Sequence, residues 1–351
     1  MTSPLLRQID TLPEGLTGIS PEKLYMLCPQ PTLMHLPGRI QRPLFISVLQ
    51  HGNESTGFFA VQALLNKYRD KELPRSISIF FSNVLAAKED MRRLDDQPDY
   101  NRIWPGTDAP AGPETIMTQQ VVDAMAKRCV FASIDIHNNT GMNPHYACVN
   151  RLDPRFLQLA NLFSRLVVYF IRPKGVQSMA FARICPAVTL ECGKPGQAHG
   201  VEHVLEYLDT CLHLTTISEQ PAASRNIDLF HTVAQVTIPE SVSFSFEDKP
   251  VDLRPVNDLD YMNFTEIPVG TVIGRVREHS QIPLLARHES GDDVTSDYFE
   301  VNNDGELVLK KNIMPSMLTL DERVIRQDCL CYIMERIDAY VKPVGVSQQD
   351  G

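Results

Sequence analysis

The sequence has no long hydrophobic run and no surplus of positive charge, and each absence removes a class of function. No segment reaches the ~18 uninterrupted apolar residues of a membrane-spanning helix. Even residues 156–171 are broken by Gln158, Asn161, Ser164 and Arg165. Lys and Arg number 33 against 43 Asp and Glu, a formal charge of −10, so nothing is in excess to displace counterions from a nucleic acid. The 8 cysteines include no C-x-x-C pair and read as reduced core thiols, not as a zinc ribbon or a disulfide framework. Residues 1–10 lack the continuous apolar core of a signal peptide. A cytoplasmic location is therefore expected, with neither a membrane nor a nucleic-acid partner; a homo-oligomer is left open. No internal repeat or low-complexity tract is evident.

What is present is an ordinary globular composition, 43% hydrophobic and 22% charged over 351 residues, enough for a large core and a second domain. Strand-like runs at 44–49, 76–81, 130–136, 166–171 and 187–190 alternate with helical patterns, among them 54–68, 113–128 and 199–214. That alternation predicts an α/β fold with a mainly parallel sheet flanked by helices. Residues 215–225 are polar and short-chained and read as a linker. Beyond them short strands at 233–238, 242–246, 270–276 and 306–309 predict a smaller β-rich domain, and 320–337 has helix-compatible spacing despite its β-branched residues. The expected division is a catalytic domain over 1–220 and a β-rich domain over 221–351.

Chemistry concentrates where the strands end. The run 44–49 stops at His51 and Glu54, an H-x-x-E spacing with His51 at a strand end and Glu54 in the first turn of the following helix. Open α/β sheets place ligand sites at such ends, and a His nitrogen and a carboxylate oxygen can share one zinc ion at roughly 2.0–2.2 Å. A second strand ends in His137, the natural third ligand; three protein ligands leave a fourth position for water, as in a hydrolytic site. A third strand ends in Glu191, placed to take a proton from that water and pass it to a leaving nitrogen. Cys192, beside it, is an alternative nucleophile, but a cysteine mechanism needs a partner histidine, and His137 is better explained as a ligand.

With the element Asp99-Tyr-Asn101-Arg102 between them, these residues resemble the succinylglutamate desuccinylase and aspartoacylase family, a branch of the zinc carboxypeptidase-like hydrolases. H-G-N-E at 51–54, D-x-N-R at 99–102, I-x-x-H-N at 134–138 and E-x-G-K at 191–194 follow the family's order across roughly residues 40–210. The resemblance implies a zinc carboxypeptidase-like fold with one Zn²⁺ on His51, Glu54 and His137, and Glu191 as general base and acid. It implies Asn101 and Arg102 as binders of a substrate carboxylate, which suits a planar guanidinium with two parallel donors. An arginine shortly before D-x-N-R would polarise the scissile carbonyl; Arg93 is the choice here, with Arg92 open because spacing does not decide. Arg183 resembles a second substrate-binding arginine, against a plain loop residue.

The expected activity is hydrolysis of an amide in a small, anionic, carboxylate-bearing N-acyl amino acid. A carboxypeptidase acting on short peptides and a silent binding protein on the same scaffold are the alternatives. The family also uses a second-domain tyrosine that Tyr261, Tyr298, Tyr332 and Tyr340 leave unassigned. Around the third ligand, His145 reads as a loop residue and Tyr146 as a packing residue.

Overall fold

The computed structural model describes residues 5–220, 227–277 and 281–337. Part of the expected linker, residues 221–225, and Tyr340 lie outside them.

The first half of the chain lays down β1 (Arg7–Ile9), β2 (Thr32–Leu36), β3 (Ile40–Val48), α1 (Thr56–Lys67), β4 (Arg75–Phe81) and α2 (Val84–Lys88). There follow α3 (Pro113–Lys127), β5 (Ala132–His137), β6 (Tyr146–Val149), α4 (Pro154–Asn161), β7 (Leu166–Tyr169), α5 (Gln177–Phe181), β8 (Ala187–Glu191) and α6 (Ala198–His213). Leu44, Phe45, Ile46 and Val48 of β3 are all fully buried. Such a continuous apolar run, without alternation, marks a strand covered on both faces. Helix α1 begins at Thr56 with Ser55 as its cap, so Glu54 stands just ahead of the helix and not in its first turn.

The remaining elements are β9 (Asp228–Thr237), β10 (Leu253–Pro255), β11 (Val272–Val276), β12 (Leu285–His288), α7 (Thr295–Tyr298), β13 (Phe299–Val301), β14 (Glu306–Leu309), β15 (Met314–Ser316), α8 (Glu322–Gln327) and β16 (Cys331–Arg336). Residues 242–246 make only the isolated bridge of Phe244 with Leu253 instead of the expected strand. The helix-like span 320–337 also divides. Only Glu322–Gln327 is helical, and from Cys331 the chain pairs antiparallel with β9, where ladder hydrogen bonds override the helical spacing.

Among the described residues one sheet of 12 strands runs β1-β2-β4-β3-β5-β8-β6-β7-β9-β16-β15, with β12 also on β9; the centre from β4 through β3 and β5 to β8 is parallel. Strands β10, β11, β14 and β13 form a separate antiparallel sheet. The large sheet thus continues past the linker into the C-terminal strands. No helix among the described residues is long and apolar enough to cross a membrane.

Candidate active site and metal centre

The parallel neighbours β3, β5 and β8 end side by side. In the ladder His137 is the register partner of Glu191, and two residues earlier Asp135 is the partner of Thr189. Beyond β3, Leu49 takes a left-handed φ of 59°, uncommon for a branched side chain. Hydrogen bonds from Ser82 N to Val48 O and from Asn83 N to Leu49 O hold the bend that swings His51 over the sheet end. Gly52 has a steric cause of its own: a Cβ there would lie 2.1 Å from the backbone nitrogen of Ala87. Only glycine lets the loop lie this close to α2.

His51, Glu54 and His137 are buried and offer ligand atoms all within 4.8 Å of one another. The Nδ1 atoms of His51 and His137 each lie 2.7 Å from an oxygen of Glu54, Oε1 and Oε2 respectively. Their opposite nitrogens face carboxylates: His51 Nε2 is 3.0 Å from Asp99 Oδ1, and His137 Nε2 is 3.0 Å from Asp135 Oδ2. A carboxylate behind each imidazole orients it and directs the other nitrogen inward, the usual support of a metal-binding histidine. Two inward nitrogens and a carboxylate are a donor set suited to a divalent ion of the zinc class. Burial alone would raise the Glu54 carboxyl, but the two imidazoles hold it far below the usual carboxylate range. Burial would lower His137, yet Asp135 and Glu54 keep it well above the ordinary imidazole value. A cation is what this cluster of carboxylates favours at its centre.

The supporting groups extend outward. Asp135 Oδ1 accepts from Gln50 Nε2 at 2.6 Å, and Gln50 Oε1 accepts from the buried Trp104 Nε1 at 2.6 Å. Asn138 ties three motifs together: its backbone N–H donates to Glu54 Oε2, and its side chain bonds both Thr56 and Gly193 O. Sequence reasoning assigned no role to Asp99, Asp135 or Gln50. Asp135 left a signal, because residues two apart on a strand share a face.

Glu191 lines the same cavity as the three ligands, and Asn139 Nδ2 donates to its Oε2 at 2.6 Å. Burial pushes its carboxyl up to about 8. Cys192 is fully buried and outside the cavity lining. Burial, with Glu191 and Glu54 nearby, drives its thiol well above the ordinary range, so it is no thiolate nucleophile.

The arginines sort differently from expectation. Arg92, not Arg93, faces the cavity, with Nη1 3.6 Å from Glu54 Oε1 and Nη2 3.3 Å from Asp99 Oδ2. Arg93 turns away and donates to Gln97 O; the chain bends at both residues, and the two side chains part there. Arg183 does not reach the cavity either. It is exposed just after α5 and lies beside Gly106. Arg172, in the loop after β7, lines the cavity instead. Asn101 and Arg102 line it, and Arg102 Nη2 is 2.8 Å from Asp328 Oδ1.

The cavity and the open solvent at its mouth together make up about 680 Å³ of space. One wall is apolar, from Cys148, Val168, Phe170 and Val176; Met317 and Tyr332 reach it from the C-terminal strands. Among the described residues, Tyr332 lines the cavity, whereas Tyr298 does not and Tyr261 is 69% exposed and away from it. Tyr146 both packs on Phe264 and lines the cavity. His145 stacks on His199 and His203 outside it.

Residues 41–205 match the profile of the succinylglutamate desuccinylase/aspartoacylase catalytic domain. All four motifs, from His51 to Lys194, lie within the matched stretch. Solved structures of similar fold include the succinylglutamate desuccinylase from Chromobacterium violaceum, at 16% identity and TM-score 0.56 over 86% of each chain. The succinylglutamate desuccinylase/aspartoacylase from Rhodobacter sphaeroides aligns at 16% identity and TM-score 0.58 over 88% of this chain and 89% of its own. Murine aminoacylase 3 aligns at 14% identity and TM-score 0.56 over 85% of this chain and 95% of its own. No curated protein matches the chain by sequence. The likeness to these structures is one of fold, and within it His51, Glu54 and His137 form a cluster that could hold a metal ion.

Proposed function

We propose that this protein is a zinc-dependent deacylase that hydrolyses the amide bond of a small, carboxylate-bearing N-acyl amino acid. The observation that carries the reading is the convergence of His51, Glu54, His137 and Glu191 on one cavity. A zinc ion held by the first three residues supplies Lewis-acid polarisation of the scissile carbonyl and a water made acidic near neutral pH.

The chain's own groups do the rest. Glu191, buried in the same cavity, takes the proton of the attacking water and delivers it to the departing nitrogen. Asn139 fixes one carboxylate oxygen, so the proton transfers run through a carboxyl of set orientation. Arg92 directs a guanidinium into the cavity, where it stabilises the oxygen on which negative charge develops. Asp99 and Asp135 hold the two imidazoles in register.

A carboxypeptidase on the same scaffold needs room for a peptide on the far side of the scissile bond. Ser316, Met317, Asp328 and Tyr332 from the C-terminal part of the chain line the cavity, which supports the smaller substrate. The retention of both the ligand cluster and Glu191 speaks against a silent binding protein. The substrate is a small anion in this reading and the working place the cytoplasm. The test is release of free amine from a panel of N-acyl amino acids by zinc-loaded protein. Release that a chelator abolishes supports the reading; cleavage of dipeptides in preference to N-acyl amino acids overturns it for the carboxypeptidase.

A further inference from the structure

Asp328 belongs to none of the motifs that mark the site. It follows α8, 226 residues beyond Arg102, yet its carboxylate reaches into the cavity between two guanidinium groups. Oδ1 accepts from Arg102 Nη2 at 2.8 Å and Oδ2 accepts from Arg92 Nη2 at 3.2 Å, with the side chain only 11% exposed. Arg92 Nη2 is shared with Asp99, its Nη1 lies 3.6 Å from Glu54 Oε1 and its Nε has no partner, while Arg102 Nη1 donates to the Asn101 carbonyl. Two arginines are therefore balanced by two aspartates before any substrate arrives. A carboxylate bridging a pair of guanidinium groups is what a bound substrate anion would look like, and here the chain supplies it.

The third cation of the cavity differs. Arg172 lines it in the loop after β7, is exposed, and has neither an ion pair nor a hydrogen-bond partner among the described residues. It also lines a neighbouring groove with Thr232, Arg287 and Tyr332, so it stands where the cavity opens. Inside that opening the wall of Cys148, Val168, Phe170 and Val176 has no charge to offer.

We propose that Asp328 sets the specificity of this site. It occupies the position of a substrate carboxylate on Arg92 and Arg102, excludes a second anionic group from the interior, and leaves Arg172 to receive the substrate's one carboxylate at the mouth. The inference rests on the deacylase reading and narrows it to N-acyl amino acids with a single carboxylate and an apolar group against the uncharged wall. A second carboxylate driven toward Arg102 would have to displace a buried, doubly paired aspartate and leave its charge unmatched.

The test compares N-acetylphenylalanine with N-acetylaspartate on the zinc-loaded full chain. The wild type should favour the first in kcat/KM by about tenfold or more, the worth of one charge-assisted contact. Asp328→Asn should shrink that preference about tenfold by gaining activity on N-acetylaspartate, and Asp328→Glu should restore it. Arg172→Gln, at an exposed position, should raise KM for N-acetylphenylalanine about tenfold with kcat little changed, and should not affect its C-terminal amide. A wild type that prefers N-acetylaspartate, or an Asp328→Asn protein with unaltered preference, would overturn the proposal. If Asp328→Asn does not fold, the Arg172→Gln comparison decides, and equal losses on acid and amide overturn it. Should the wild type hydrolyse neither compound, the panel decides the deacylase reading, and succinate binding by calorimetry tests the inference alone. Binding at least about tenfold tighter to Asp328→Asn than to wild type supports it; equal binding overturns it.

Discussion

Asp135 and His137 lie two residues apart on one strand, and the Asp135 carboxylate accepts from His137 Nε2 at 3.0 Å. The bond fixes which imidazole nitrogen carries the proton and which faces Glu54. Asp135→Asn keeps the shape but loses the charge that raises ligand basicity, so zinc affinity should fall by about 10–100-fold. Competition against a chelator of known affinity measures it. Unchanged affinity would mean that the orientation comes from packing alone.

Arg92 and Arg93 offer a paired comparison. Arg92→Gln should lower kcat/KM by roughly 10²–10³, the usual worth of a donor aimed at developing charge, while Arg93→Gln should stay near wild type because its side chain ends on Gln97 O. The reverse result would move the oxyanion role back to Arg93.

Gly52→Ala places a methyl group against the backbone of α2, where neither side can yield without moving the His51 loop. A stability loss of about 1–3 kcal/mol is expected from such overpacking, with weaker metal retention. Urea unfolding read with and without zinc separates the two effects, and a variant as stable as wild type would contradict the close approach.

The carboxyl of Glu191 makes stability depend on pH in the metal-free protein. Burial pushes it up to about 8, whereas an unfolded glutamate titrates near ~4.3. Between these values the native chain keeps a proton that the unfolded chain has lost. The contribution is therefore fully present below the lower value and is lost as pH rises through the upper one. Glu191→Gln cannot ionise and escapes this loss, so its stability relative to wild type should rise by about 1–4 kcal/mol from pH 5 to pH 8. A difference independent of pH in denaturant melts would contradict the buried protonated carboxyl.

The clustering of His51, Glu54, His137 and Glu191 was legible in the sequence because these residues stand at or just past the ends of apolar strand runs, and strand ends in a parallel sheet converge. His51, His137 and Glu191 follow from that rule, and Glu54 from its spacing to His51. The arginines were not legible in the same way. Residues 92 and 93 sit in a bend with no periodicity to say which points inward, and Arg183 is turned outward by the end of α5. Asp328 was beyond reach for a different reason. It lies where α8 breaks before β16, and that break is imposed by pairing with β9, a long-range contact that the helical spacing of residues 320–337 conceals.

The steady-state rate of the Glu191→Gln protein, at verified metal loading, tests the central account most directly. A base beside the metal that does not bind it should leave about one zinc ion per chain, as in wild type, and its loss should cut kcat roughly 10²–10⁴-fold. A fully loaded, folded Glu191→Gln protein turning over near the wild-type rate would contradict the mechanism; loss of the metal would instead make Glu191 a fourth ligand and close the site to water.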